Sequence, residues 1–233
     1  MIDYVISAPE VITVPVLGSD GAFPVRRIYC VGRNYAAHVR EMGGDERDLP
    51  FFFQKPRDAI VLNGGTVPYP PLTEDLQHEV ELVLAVGLGG ANIVAADAAQ
   101  HVFGLAVGID LTRRDVQGEA KKTGRPWEIG KAFDHSAPIT AITPLNGAAL
   151  PEQGRISLSV NDEVRQRGDL SEMIWNCAEV ISILSTHYAL APGDLIYTGT
   201  PSGVGPVLPG DQLTAVVEGL PDLAISIGEK SWS

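Results

Sequence analysis

The sequence predicts a mixed α/β protein that is mainly β. Three observations support this prediction. The chain contains 25 glycines and 17 prolines, a composition that favours many turns over a helical bundle. Short apolar runs with a two-residue alternation lie between turn residues, as in β-strands. Helical periodicity is confined to a few segments, so we expect the 233 residues to form one domain with few helices.

Composition excludes several classes of function. The formal net charge of −12 argues against a nucleic-acid partner and against anionic membrane surfaces. Cys30 and Cys177 lack the spacing of a zinc site, and we expect both to pack in a core. The chain shows no signal-peptide pattern and no apolar run near the length of a membrane span. A reduced, cytoplasmic location is therefore expected.

The first candidate for chemistry follows two predicted strands over residues 11–17 and 27–31. Asn34 to Gly43 has the capping pattern of a short helix, on which His38 and Glu41 share a face. A histidine oriented by a carboxylate can act as a base that activates water. The alternative is an exposed helix with a weak His–Glu contact.

The stretch from His78 to Gly87 predicts a strand whose apolar side chains alternate. That alternation places Glu79 and Glu81 together on one face. Two adjacent buried carboxylates need a cation, a shared proton or basic partners, and a hard divalent metal is the simplest solution. The alternative is an edge strand with two solvated glutamates.

A helix over 93–102 and a buried strand over 103–110 are predicted next. Asp110 ends this strand where an apolar run meets a polar segment, so it could join the two glutamates as a third ligand. The alternative is that Asp110 caps a helix over 111–116.

Cations concentrate in the following segment, which contains Arg113, Arg114, Lys121, Lys122, Arg125 and Lys131. Lys131 lies among apolar neighbours and is the best candidate for a buried functional lysine. Lys55, at the end of a predicted strand over 51–55, could reach an anion, but the expectation is a solvated lysine, which is more common at a strand end.

The last third of the chain predicts strands, one helix and a glycine-rich loop. Ser171 is expected to cap a helix over 172–188, because apolar residues recur there at helical spacing. The remaining predictions are a strand and return strand over 156–165 with a turn at Asn161–Asp162, a strand over 195–200 that runs into the loop 201–205, and a final hairpin with strands near 213–217 and 223–227.

These motifs occur in one order that resembles the fumarylacetoacetate hydrolase family. The resemblance rests on the following set: His38 with Glu41, Glu79 with Glu81, Asp110, the segment from Arg114 through Gln117 to Lys131, and the loop Thr198 to Gly205. Within the family, residues 23–38 and 124–133 look most like bacterial fumarylpyruvate hydrolases. The set is specific as an ordered whole, although each motif alone is short.

The resemblance implies a fumarylacetoacetate-hydrolase-like β-sandwich roll with a few peripheral helices. It implies a single catalytic domain over 1–233, with a short β segment over 1–25 and the core over 26–233. It also implies a Mg²⁺ or Mn²⁺ ion and a homodimer. The implied site residues are metal ligands Glu79, Glu81 and Asp110, catalytic residues His38, Glu41 and Lys131, and substrate contacts Arg33, Arg114, Gln117 and Thr200.

The implied activity is metal-dependent cleavage of the C–C bond of an acylpyruvate, a small anionic 2-oxo acid. The expected reaction converts fumarylpyruvate to fumarate and pyruvate in aromatic degradation. The alternatives are an oxaloacetate decarboxylase or general acylpyruvase, a 2-hydroxymuconate-type isomerase or decarboxylase, and a non-enzymatic metal-binding protein. Arg33, Arg113 and Arg125 are the candidates for binding the distal carboxylate of a fumaryl group.

Overall fold

The computed structural model describes residues 4–36 and 49–230. The described strands are Thr13–Pro15 (β1), Ala22–Pro24 (β2), Arg27–Gly32 (β3), Phe51–Lys55 (β4), Ile60–Leu62 (β5), Thr66–Tyr69 (β6), Leu76–His78 (β7), Val80–Val86 (β8), Val102–Ile109 (β9), Thr112–Arg113 (β10), Ala137–Ile139 (β11), Thr143–Pro144 (β12), Arg155–Val160 (β13), Glu163–Asp169 (β14), Asp194–Tyr197 (β15), Gly205–Pro206 (β16), Gln212–Val217 (β17) and Leu223–Lys230 (β18). The described α-helices are Ala98–His101, Arg114–Lys122 and Cys177–His187. Short 3₁₀ helices cover Arg57–Ala59, Ala95–Asp97, Trp127–Gly130 and Leu170–Glu172.

The larger sheet has the strand order β4-β3-β15-β8-β9-β11-β5, with β12 paired to β9. Strand β8 lies in its middle and is buried over its whole length. The predicted alternation is confirmed, because the even-numbered side chains from Val80 to Val86 belong to one hydrophobic cluster. Val83 and Ala85 belong to a second cluster on the other face.

A second sheet with the order β14-β13-β17-β18-β6 packs against the first. Its inward residues, such as Ile156 and Leu213, share the main core with Leu82 of β8. Smaller sheets pair β1 with β2 and place β7 between β10 and β16. The mainly β sandwich is confirmed, with the helices at its periphery.

The predicted helix over 93–102 is shorter than expected. A 3₁₀ turn at Ala95–Asp97 leads into a single α-helical turn, Ala98–His101. The chain becomes extended at Val102, which pairs with Val86 of the central strand. Sheet pairing therefore ends the helix even though the alanines favour helical backbone.

The second long helix begins at Cys177 and not near Ser171. Asn176 caps it, because its side chain accepts from the N–H of Glu179 while the Glu179 carboxylate accepts from the N–H of Asn176. Ser171 instead lies in the short turn Leu170–Glu172, which Asp169 caps. The reciprocal capping box fixes the start of the helix.

The two cysteines are free and buried, as predicted. In the ranges that the structure describes, we find no helix with the length and apolar character needed to span a bilayer.

Candidate metal and substrate site

Strand pairing assembles three carboxylates at one edge of the core. Val80 lies opposite Ile109, so Glu79 directly before β8 meets Asp110 directly after β9. The N–H of Asp110 donates to the carbonyl of Glu79 over 2.8 Å. Carboxylate oxygens of Glu79, Glu81 and Asp110 all lie within 4.8 Å of one another, and the three residues are buried. The solvated-edge alternative is therefore wrong, because β8 is a central strand.

Asp110 does not cap a helix over 111–116. The chain after it forms β10, and the next helix starts only at Arg114. Because β10 pairs with β7, which leads directly into Glu79, the start of this helix lies beside that glutamate. Arg114 accordingly forms an ion pair with Glu79 and donates from Nε to Gln77 over 2.8 Å.

Lys131 joins two of the carboxylates. Its Nζ lies 2.8 Å from Oε2 of Glu79 and 2.6 Å from Oδ2 of Asp110. The predicted burial of this lysine is confirmed. Burial alone would lower the pKa of Lys131, but the two carboxylates outweigh it and raise the pKa above its ordinary value. Lys131 therefore stays charged inside the protein.

Lys55 is a further buried cation, and the expectation that it is solvated is wrong. Its Nζ lies 2.9 Å from Oδ1 of Asp110 and donates to the carbonyl of Leu111 over 3.0 Å. A third contact joins it to the carbonyl of Lys131. One signal was present in the sequence: Phe53 and Lys55 share a face of β4, so the inward phenylalanine predicts an inward lysine.

Among the residues that the structure describes, Glu81 has fewer compensating partners than Glu79 and Asp110. Its Oε2 accepts from the N–H of Gly199 over 2.7 Å. Burial raises the pKa of Glu81 well above its ordinary value, and the charges of Asp110 and Glu79 raise it further. Gly199 has φ of +99°, and a Cβ there would lie 2.8 Å from Cβ of Asn34, so the loop that approaches Glu81 requires glycine.

This donor set fits a hard divalent cation. Three carboxylates supply oxygen ligands from rigid strand ends, which suits Mg²⁺ or Mn²⁺. Oδ1 of Asp110 accepts no hydrogen bond from the described residues, although the Lys55 ammonium lies 2.9 Å away. A dication would neutralise the repulsion that raises the pKa of Glu81. Glu79, Glu81 and Asp110 could therefore hold the ion together.

Beside the triad lies a cavity that collects the other predicted contacts. Its lining includes Arg33, Arg114, Gln117, Lys131 and Thr200. The guanidinium of Arg114 donates to Oε1 of Gln117 over 2.9 Å, which fixes the two side chains together. The structure thus brings all the predicted substrate contacts to the carboxylates. The predicted catalytic pair, His38 and Glu41, lies outside the described residues.

One wall of the cavity is aromatic and cationic, and we call it the aromatic wall: Arg33, Phe51, Lys121 and Trp127. The Arg33 guanidinium carbon lies 6.0 Å from the Phe51 ring centroid, and Nζ of Lys121 lies 5.3 Å from that of Trp127. The two rings meet edge to face at 5.6 Å. Partial burial, followed by the nearby cations Arg114, Arg33 and Lys131, lowers the pKa of Lys121 to about 8.

The other two candidates for a distal carboxylate are placed elsewhere. Arg113 donates to the carbonyls of Ile129 and Pro71 over 3.2 and 3.1 Å, and its guanidinium carbon lies 4.9 Å from the Phe133 centroid. Arg125 lines a different, mostly apolar cavity. Neither contributes to the cavity beside the triad. Lys121 was not singled out from the sequence, because Lys122 beside it has the same local pattern and both side chains are exposed.

Comparison with known proteins agrees with this geometry. The chain is 43% identical to a fumarylpyruvate hydrolase from Ralstonia sp over 76% of this chain and 92% of that protein. It is 41% identical to the mitochondrial oxaloacetate tautomerase FAHD1 of Mus musculus over 89% of this chain and 94% of that protein.

Solved structures of similar proteins match this chain over most of its length. Fumarylpyruvate hydrolase from Pseudomonas aeruginosa, in complex with Mn²⁺ and pyruvate, matches with a TM-score of 0.95 and 47% identity over 98% of this chain and 100% of that chain. A 5-carboxymethyl-2-hydroxymuconate delta-isomerase from Mycobacterium smegmatis matches with a TM-score of 0.80 and 31% identity over 95% and 83%. Residues 27–227 match the domain described as fumarylacetoacetate (FAA) hydrolase C-terminal, and the chain therefore belongs to the fumarylacetoacetate hydrolase family.

Proposed function

We propose that this enzyme is a Mg²⁺- or Mn²⁺-dependent hydrolase that cleaves fumarylpyruvate to fumarate and pyruvate. The observation that carries this proposal is the cavity, whose lining contains two groups of cations. Lys131 and Arg114 pair with the acidic triad, whereas Arg33 and Lys121 belong to the aromatic wall. A substrate with a 2-oxo acid at one end and a carboxylate at the other matches this distribution of charge.

The formal charges favour an anionic substrate. Three carboxylates and a divalent ion sum to −1 when all three are ionised. Lys55, Lys131 and Arg114 contribute +3, which brings the centre to +2. A chain with a net charge of −12 thus contains a local positive centre that attracts a dianion.

The reaction needs an activated water and a stabilised leaving group. His38, oriented by Glu41, would take a proton from water, whose oxygen then attacks the distal carbonyl carbon. The C–C bond breaks, and pyruvate leaves as its enolate and takes up a proton. The bound metal would supply a Lewis acid for the 2-oxo acid oxygens and the enolate. Lys131 and Arg114 would add positive charge beside the same oxygens.

The aromatic wall supports a fumaryl group in particular. Neither Arg33 nor Lys121 forms an ion pair with another described residue, whereas the triad engages the remaining cations of the cavity. A distal carboxylate would pair with these two side chains. The planar, unsaturated chain would pack against Phe51 and Trp127.

The first experiment is an activity assay of the purified enzyme with Mg²⁺, with Mn²⁺ and with chelator. Loss of the enol absorbance of fumarylpyruvate should require metal, and kcat/KM should be higher than for acetylpyruvate. Oxaloacetate tests the decarboxylase and tautomerase alternatives, and a 2-hydroxymuconate-type diene tests the isomerase alternative. If oxaloacetate or the diene is turned over faster than fumarylpyruvate, the hydrolase proposal is overturned. If none of these substrates is turned over, the non-enzymatic metal-binding alternative is favoured.

A specificity experiment tests the aromatic wall. Lys121→Met should lower kcat/KM for fumarylpyruvate by about tenfold or more, since it removes a charge-assisted contact, and should change acetylpyruvate turnover little. Lys122→Met, one residue away, is the matched control and should leave both substrates unchanged. Equal losses on both substrates in Lys121→Met would contradict the assignment.

A further inference from the structure

Gln166 is a buried polar residue that connects the second sheet to the substrate cavity. It is the inward-facing residue of the otherwise largely exposed strand β14. Its side chain lies at 0% exposure between β7, β8 and the loop that follows β15. No part of the proposed chemistry uses it directly.

Hydrogen bonds fix the orientation of this amide at both ends. Oε1 of Gln166 lies 3.0 Å from the backbone N of Val80, which can only donate. Nε2 lies 2.9 Å from the carbonyl oxygen of Pro201, which can only accept. The oxygen therefore faces β8 and the NH₂ group faces the loop. His78 must donate from Nδ1 to Oε1 over 2.9 Å, since that oxygen cannot donate.

This orientation decides what the Thr200 hydroxyl does. The second N–H of Gln166 donates to Oγ1 of Thr200 over 2.8 Å. The hydroxyl therefore acts as the acceptor in this bond and keeps its own proton for another partner. That proton is donated to none of the residues that the structure describes, and Thr200 lines the cavity beside the acidic triad.

We propose that Gln166 is a positioning residue that holds the Thr200 hydroxyl as a hydrogen-bond donor to the carboxylate of a bound 2-oxo acid. The inference rests on the proposed function only in that the ligand is an anionic 2-oxo acid. Both N–H groups and both acceptor positions of Gln166 are used, so its amide cannot reverse without losing bonds to Val80 and Pro201. The bond from Gln166 occupies one acceptor position of the hydroxyl, so fewer orientations of its proton remain before the ligand arrives, which lowers the cost of ordering it.

The test is a double-mutant cycle that reads pyruvate binding to the Mn²⁺-loaded enzyme by calorimetry, independently of turnover. Thr200→Val should weaken pyruvate binding about 10- to 100-fold, the range for a hydrogen bond to a charged group, and Thr200→Ser should restore most of it. Gln166→Met keeps the size of the side chain but removes the amide. It should weaken binding at least about threefold when Thr200 is present.

The decisive variant combines the two changes. If Gln166 acts through Thr200, adding Gln166→Met to Thr200→Val should weaken pyruvate binding less than about twofold further. Independent, additive losses would overturn the proposal, as would unaltered affinity in Thr200→Val. Ser185→Ala, which removes a buried hydroxyl that accepts from Ile93 far from the cavity, controls for loss of stability and should leave pyruvate affinity unchanged.

The binding readout also separates this proposal from the assigned reaction. Failure to hydrolyse fumarylpyruvate, with the predicted pyruvate cycle intact, would overturn the function and leave the Gln166 assignment standing. If the enzyme hydrolyses fumarylpyruvate but the two substitutions weaken pyruvate binding additively, the function would stand and the Gln166 assignment would be overturned. Melting temperatures of all variants, measured with Mn²⁺, show whether a weak binder is folded.

Discussion

Replacing Glu79 or Glu81 with the neutral residue glutamine should change the stability of the folded protein in opposite directions. In metal-free protein, Glu81→Gln should be stabilising above neutral pH, whereas Glu79→Gln should be destabilising. Glu79 has ion pairs to Lys131 and Arg114, and removing one partner of a buried pair costs about 3–5 kcal/mol. Glu81 instead faces two like charges.

The size of the Glu81 effect follows from the geometry. One carboxylate oxygen from each residue of the triad lies within 4.8 Å of the others, and two unit charges at that distance repel by about 3.5 kcal/mol at an effective dielectric constant of 20. Glu81 has two such neighbours, and the lysines around them offset most of this repulsion. We expect a net gain of about 2 kcal/mol in Glu81→Gln, or about 4–8 °C in melting temperature for a chain of this size.

The pH dependence has a defined sign. The pKa of Glu81 is raised in the folded protein, so between its unfolded and folded pKa values the folded state holds a proton that the unfolded state has lost. Stability of the metal-free protein should therefore fall as pH rises through that window. Glu81→Gln should lack this fall, so its advantage should be near zero at about pH 4 and grow with pH.

Thermal melts with chelator and with Mn²⁺, from acidic to alkaline pH, measure both effects. Both variants should lose the stabilisation that saturating metal gives the original protein. If Glu81→Gln lowers the metal-free melting temperature as much as Glu79→Gln at alkaline pH, the electrostatic account is wrong. If the melting temperature of Glu81→Gln still rises when Mn²⁺ is added, Glu81 is not a metal ligand.

Three further predictions address other parts of the site. Lys131→Met should abolish turnover. It should also lower the free energy of unfolding of the metal-free protein by about 3–5 kcal/mol, measured by urea unfolding, because two buried carboxylates lose the ammonium that pairs with both. His38→Ala should abolish hydrolysis but retain Mn²⁺ binding by calorimetry, and normal turnover would exclude it as the base. Arg113→Lys should lower the melting temperature through lost bonds to Ile129 and Pro71, yet leave the ratio of fumarylpyruvate to acetylpyruvate turnover unchanged.

The sequence predicted the parts of the site that depend on local pattern. Alternation along β8 places Glu79 and Glu81 on one face, and the end of an apolar run marks Asp110. The start of the long helix was also readable, since Asn176 and Glu179 have capping-box spacing. Ser171 competed with that signal because the turn it occupies has a capping box of its own.

The remaining features depend on contacts between distant segments. Alternation along β4 indicates that Lys55 points inward, but only the packing of distant segments shows that it reaches Asp110. Gln166 is one glutamine in a polar strand, and only the packing of the two sheets shows that it reaches Thr200. Which strands pair is decided by the whole chain, so local periodicity does not predict such contacts.

The way strand pairing builds the triad also has a kinetic consequence. The carboxylates meet only after β8 and β9 pair, and their lysines arrive from segments 24 residues before Glu79 and 21 residues after Asp110. Contacts so far apart in sequence form late, because the chain between them must be closed into loops first. An ion bound there cannot help the search for the native fold. It should leave the refolding rate nearly unchanged and slow unfolding instead, so that metal extends the lifetime of the folded enzyme.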